Sequence, residues 1–177
     1  MAEIVPDTKD WTWVLQRPCP ECGFNASGIG RSDIPTVIRE NAEAWQDVFR
    51  AGGELHVRRR PDVWSPLEYA CHVRDVFRIY EYRLGLMLSQ DDPHFPNWDQ
   101  DATAVQERYG EQDPAKVIVE LGLAAESVAA AFARVEGDQW ARTGNRSDGA
   151  RFTVESIGRY FVHDPIHHLH DVTSQLN

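Results

Sequence analysis

Ser65-Pro66-Leu67-Glu68-Tyr69-Ala70-Cys71-His72-Val73 carries two helix-start signals at once. Ser65 offers the side-chain oxygen of an N-cap, and Pro66 falls at the first helical position, where a missing N–H costs nothing. Glu68 stands where its carboxylate reaches back to the cap's own N–H, completing a capping box. Leu67, Ala70, Cys71, Phe77, Tyr80, Leu84, Leu86, Met87 and Leu88 then recur at the spacing of one helical face, which predicts a long helix ending near Ser89.

Outward from that helix the chain repeats the pattern. On its N-terminal side, across a loop at 54–64, Asp33-Ile34-Pro35 opens a helix with the stripe Val37, Ile38, Ala42, Trp45, Val48 and Phe49, closed by Gly52-Gly53. On its C-terminal side Asp91-Asp92-Pro93-His94-Phe95-Pro96-Asn97-Trp98 cannot be regular helix, and a short helix is expected over 101–109. Asp113-Pro114 starts the next long helix, with Val117, Ile118, Leu121, Ala124, Ala125, Val128, Phe132 and Val135 on its face and Gly137 at its end. Residues 138–152 read as a polar loop. Thr153 caps a last helix carrying Val154, Ile157, Phe161 and Ile166, and Pro165 inside it predicts a kink, because the ring removes the bond to the Phe161 carbonyl. Four long amphipathic segments without a convincing strand predict an all-α four-helix bundle with long connecting loops. It spans 33–177, behind an irregular extension over 1–32 that packs on it.

The 177 residues suit one domain with a core of its own. A net charge of −10 argues against nucleic acid as partner, and Arg58-Arg59-Arg60 reads as a solvated turn. No apolar run is long enough to cross a bilayer, and residues 1–7 lack the basic start and apolar core of a secretory signal. A cytoplasmic protein is expected, without membrane partner. If the chain self-associates, base rates point to a homodimer.

Four of the seven histidines, His163, His167, His168 and His170, crowd into the last helix. His163 and His167 are four apart and share a face, as does His170 three further on. Their Cβ atoms lie roughly 5–6 Å apart, within reach of one metal ion. A third ligand must come from another helix. His72 is best placed, with Glu68 and Asp75 about a turn away on either side and Asp164 beside the C-terminal histidines as acid/base candidates or partners for the imidazole N–H groups. A hydrogen-bonded core histidine is the plain alternative for His72, and His170 is a rival ligand. Cys19-Pro20-Glu21-Cys22-Gly23 has the form of one zinc-ribbon knuckle but lacks a second pair of cysteines. A second metal, a redox pair, or two reduced thiols in a packed loop all fit it. Arg142, Arg146 and Arg151 in the 138–152 loop are candidates to bind an anionic substrate or cofactor group, or else solvated loop charge.

The order of these motifs, Ser65 to Val73 followed by His163-x-x-x-His167-His168, resembles the DinB/YfiT-like superfamily of metal-binding four-helix bundles over roughly residues 33–175. The resemblance implies a divalent ion, zinc or nickel, on His72, His163 and His167. It also implies a low-molecular-weight thiol such as mycothiol as co-substrate, because the superfamily includes thiol-dependent transferases. The sixteen arginines against two lysines are similar to the composition of proteins from high-GC mycothiol users. The activity expected is S-transfer from a small-molecule thiol to an electrophilic substrate. The alternatives are a hydrolase on the same site and a non-catalytic module stabilised by, or sensing, the metal. The Cys-Pro-Glu-Cys extension and Pro165 depart from the general pattern.

Overall fold

The computed structural model describes Ile4, Pro6 and residues 9–174. The outermost ends expected for the 1–32 and 33–177 segments lie outside the described residues. After short 3-10 turns at Thr12–Leu15 and Ala26–Gly28 come helices α1 (Ile34–Ala51) and α2 (Pro66–Ser89), strand β1 (His94–Phe95) and helix α3 (Gln100–Gln106). A 3-10 turn at Tyr109–Glu111, helix α4 (Pro114–Ala133), a 3-10 turn at Gly137–Ala141, strands β2 (Thr143–Arg146) and β3 (Arg151–Thr153), and helices α5 (Val154–Phe161) and α6 (His163–Ser174) complete the order. None of the described helices is long and apolar enough to cross a membrane.

The capping box that anchors α2 forms as written. The Glu68 N–H donates to Ser65 Oγ at 3.3 Å, and the Ser65 N–H donates to Glu68 Oε2 at 2.8 Å. Asp113 caps α4 and Thr153 caps α5 through their side chains. Helix α4 packs along both α1 and α2, and α6 closes against α2 and α1. The core between them holds Ile34, Ile38 and Trp45 of α1, Leu67, Phe77 and Met87 of α2, and Leu121, Val128 and Phe132 of α4. Phe161, at the end of α5, is fully buried and stacks on Tyr80 at 4.8 Å and on Phe132 at 5.6 Å. The four-helix bundle is the fold expected.

Two features depart from the expectation. First, the stretches read as loops at 91–98 and 138–152 pair into a three-stranded sheet: β1 runs parallel to β2, and β2 antiparallel to β3. These strands are two to four residues long, too short for a period-2 pattern to register. Second, the last helix is divided at Val162, so Pro165 falls in the first turn of α6. The first turn of a helix has no intrahelical acceptors for its N–H groups, so a proline there breaks no bond. The break thus removes the cost that Pro165 would impose inside a continuous helix. Asn41 of α1 donates to the Pro165 carbonyl at 3.0 Å.

Candidate metal centres

Helix α6 presents four ligand-type side chains in six residues: His163, Asp164, His167 and His168. They form two pairs four apart, offset by one residue, and one residue of α-helix is a turn of about 100°. The pairs therefore look in different directions, and each meets a different part of the chain.

Asp164 and His168 face α2. His72 Nε2 lies 3.0 Å from Asp164 Oδ1, and His168 Nε2 lies 3.8 Å from Asp164 Oδ2. The three residues offer ligand atoms all within 4.8 Å of one another. His72 is fully buried and its ring is set by packing. Trp98 stacks on it at 5.2 Å with the planes 5° apart, and Trp64 tilts against its surface at 5.2 Å. Its Nδ1 has no hydrogen-bond partner. His168 is oriented through its other nitrogen, with Nδ1 3.2 Å from Asp171 Oδ2. Burial alone would raise the Asp164 carboxyl, but the imidazoles of His72 and His168 beside it outweigh that and hold it below the usual carboxylate range. Asp164 stays an anion with a third of its side chain exposed.

His163 and His167 turn toward the N-terminal extension and lie under it. Each offers a ring nitrogen that lies within 4.8 Å of the other's and of both Cys19 and Cys22 sulfurs. Cys19 Sγ is 3.7 Å from His167 Nδ1. Trp11 covers both rings at 5.3 Å, and Phe24 lies 5.2 Å from His163. Burial lowers His163 to about 4, with the neighbouring His167 adding to it, and burial also lowers His167. Both imidazoles are neutral near pH 7, as metal ligation requires. Burial likewise pushes the Cys22 thiol up to about 11.

The residues expected about one ion are thus divided between two groups. His72 meets Asp164 and His168, while His163 and His167 meet the cysteines. His168, which spacing leaves off the face shared by His163, His167 and His170, belongs to the first group. The signal for it was the Asp164-x-x-x-His168 spacing, the same four-residue step as the histidine pair with a carboxylate in place of one imidazole. His170 is exposed on α6.

Of the acid/base candidates only Asp164 lies here. Glu68 is consumed by the capping box and by an ion pair with Arg58. Asp75 pairs with Arg74 and accepts the Tyr109 hydroxyl at 2.6 Å. Arg142 is also committed elsewhere: its guanidinium donates to the Met87 and Gln90 carbonyls at the end of α2.

A cleft of about 1630 Å³ opens along α6, lined by His163, Asp164, His167 and His168 and walled by Trp11, Trp98, Tyr80 and Tyr160, with His72 buried behind Asp164. Arg146 and Arg151 line it, as does Arg83, which sequence reasoning passed over. Arg146 is paired with Asp148 and donates to the Tyr160 hydroxyl at 3.0 Å. Arg83, only 4% exposed, stacks over Tyr80 and Phe95, donates to the Pro96 carbonyl at 3.0 Å and has no carboxylate partner among the described residues.

No curated protein matches the chain. Among solved structures it is similar to one described as "YfiT from Bacillus subtilis is a probable metal-dependent hydrolase with an unusual four-helix bundle topology". The TM-score is 0.63 over 99% of this chain and 95% of that one, at 17% identity, a likeness of fold alone. A family model described as the DinB superfamily matches residues 37–172. That match runs from the first turn of α1 into the last turns of α6, through every helix that carries a candidate ligand, and the chain belongs to the DinB superfamily.

Proposed function

We propose that the chain is a divalent-metal-dependent enzyme working from the cleft, with His72, Asp164 and His168 as ligands. The observation that carries this reading is the meeting of the buried His72 imidazole with Asp164 and His168, which line the cleft, the carboxylate partly exposed there. Two histidines and a carboxylate suit zinc or nickel and leave positions open, as catalytic sites do. An ion held there supplies Lewis acidity, lowering the pKa of a thiol or a water bound in an open position.

The residues around the ligands support that role. Asp171 orients His168, and its negative charge strengthens the imidazole as a donor. Trp98 and Trp64 hold the His72 ring, whose Nδ1 has no hydrogen-bond partner. Arg83 is a buried cation with donors to spare, and a buried charge calls for a counter-charge, so an anionic group on the substrate or cofactor completes it. The tryptophan and tyrosine walls suit an apolar or aromatic electrophile.

The nucleophile we assign is the thiolate of a low-molecular-weight thiol such as mycothiol, transferred to an electrophilic carbon. A hydrolase is the second reading, because two histidines and a carboxylate also form the ligand set of zinc hydrolases that activate water. The metal-stripped protein, reloaded with zinc or nickel, separates them. The expected result is metal-dependent loss of free thiol with a generic electrophile, abolished in His72→Ala and Asp164→Asn. Ester hydrolysis without any thiol, with the same dependence, would assign water instead. Turnover in neither assay, with loss of fold on chelation, would leave a metal-stabilised module.

A further inference from the structure

We infer that Cys19, Cys22, His163 and His167 form a second, closed metal site that takes zinc and pins the N-terminal extension to α6. Two thiolates and two imidazoles are a complete tetrahedral set for structural zinc, with no position left for substrate. The spacing fits. Bonds of about 2.3 Å to sulfur and 2.05 Å to nitrogen at a tetrahedral angle put S and N roughly 3.6 Å apart. Cys19 Sγ and His167 Nδ1 stand at 3.7 Å.

The local backbone is built for it. The Gly23 N–H donates to the Cys19 carbonyl at 2.9 Å and the Cys19 N–H to the Phe24 carbonyl at 2.8 Å, folding 19–24 into a tight knuckle. Gly23 makes the turn at φ +75°, a conformation that side chains oppose. Neither thiol is in a disulfide. An independent observation comes from α6: His163 is 4% exposed, yet its Nε2 has no hydrogen-bond partner. A buried imidazole without a full set of partners is costly, and a metal bond relieves that cost. On the second histidine, Glu21 Oε2 lies 3.4 Å from His167 Nε2, placed to accept its proton when Nδ1 ligates.

The site also has a structural task. Residues 9–28 lack a helix longer than one turn, so their hold on the bundle must come from side chains. Trp11, Thr12, Leu15 and Gln16 of this segment form one wall of the cleft. Binding displaces two thiol protons and ties that wall to the helix bearing Asp164 and His168.

Cobalt(II) titration of the metal-stripped, reduced full-length chain tests the inference independently of the cleft reading. Cobalt on thiolates gives a near-ultraviolet sulfur-to-metal charge-transfer band, which an ion on two imidazoles and a carboxylate cannot give, and intense visible bands report the tetrahedral geometry. The expected result is that signature at one equivalent, displaced by one equivalent of zinc and retained in His72→Ala. Cys22→Ser should lose most of it. Cys22→His, which keeps four ligands and so guards against simple misfolding, should retain cobalt with roughly half the charge-transfer intensity. Absence of the charge-transfer band in the intact chain, or a band unchanged in both Cys22 variants, would overturn the site.

Discussion

Acid should destabilise the metal-free protein well before the carboxylates titrate, and His163 sets the size of the effect. Burial, reinforced by His167, lowers this imidazole to about 4, while in the unfolded chain it titrates near 6.5. Between those values the unfolded state binds a proton that the folded state refuses, so stability is full above about pH 6.5 and falls as the pH drops toward 4. At 1.36 kcal/mol per pH unit the loss reaches about 2.5 kcal/mol by pH 4.5, relative to pH 7.5. His167, lowered in the same direction, adds to it. Asp164 and Asp171 do not mask it. Both are held below the usual carboxylate range, so their contributions are lost only under pH ~4. A chain of this size has an m-value of about 2 kcal/mol/M in urea, so the midpoint should move down by roughly 1 M. The assay is urea unfolding of metal-stripped protein at both pH values, beside His163→Gln, which keeps a polar side chain but removes the titration and should flatten most of the slope. A wild-type midpoint that is equal at the two pH values, or a His163→Gln slope as steep as the wild type's, would refute the reasoning.

Two further outcomes follow from individual contacts. Gly158→Ala places a Cβ 2.7 Å from Ile34 Cδ1 and 3.0 Å from Phe132 Cε1, both fully buried. Overpacking of about 1–3 kcal/mol should exceed the ~1 kcal/mol gained in helix propensity. Ile34→Val, which deletes the clashing methyl, should recover most of the loss in the double variant, and additive urea-unfolding energies would count against the contact. Asp171→Asn removes the charge held 3.2 Å from His168 Nδ1. It should weaken zinc or nickel binding in the cleft by about 10–100-fold, and an unchanged affinity in calorimetric titration would show that Asp171 does not support the ligand.

The bundle was legible because its signals are local. Ser65, Pro66 and Glu68 specify the start of α2 within four residues, and Asp113-Pro114 and Thr153 do the same for α4 and α5. The strands were not, since β1 pairs with β2 across some fifty residues and the local β2–β3 hairpin has strands of only four and three residues. Glu68 and Asp75 illustrate a second limit. Both stand within a turn of His72, but Arg58 and Tyr109, from separate loops, hold their oxygens away from it. Chain distance shows what is near a histidine but not which partner a carboxylate prefers. Arg142 misled in the same way, since a loop arginine free in sequence proves to clamp the end of α2.

The ligand register on α6 exposes the deepest limit, and it also connects the two centres. Spacing identifies pairs four apart but cannot say where a helix points, and the histidine pair and the Asp164–His168 pair are equally good by that test. What decides is rotation of α6 about its own axis, and two anchors fix it. The break at Val162 frees α6 from the direction of α5 and lets Pro165 sit in a first turn. On the proposed zinc site, Cys19 and Cys22 hold His163 and His167 on the side of the N-terminal extension, beside which they lie. With that face committed, the next residue along, some 100° around the helix, must look toward α2, and Asp164 and His168 meet His72. A closed zinc site on one face would therefore aim the open one on the other. If both proposed sites hold metal, the N-terminal extension orients the proposed ligands in the cleft, because two interleaved pairs on one rigid helix cannot be turned independently.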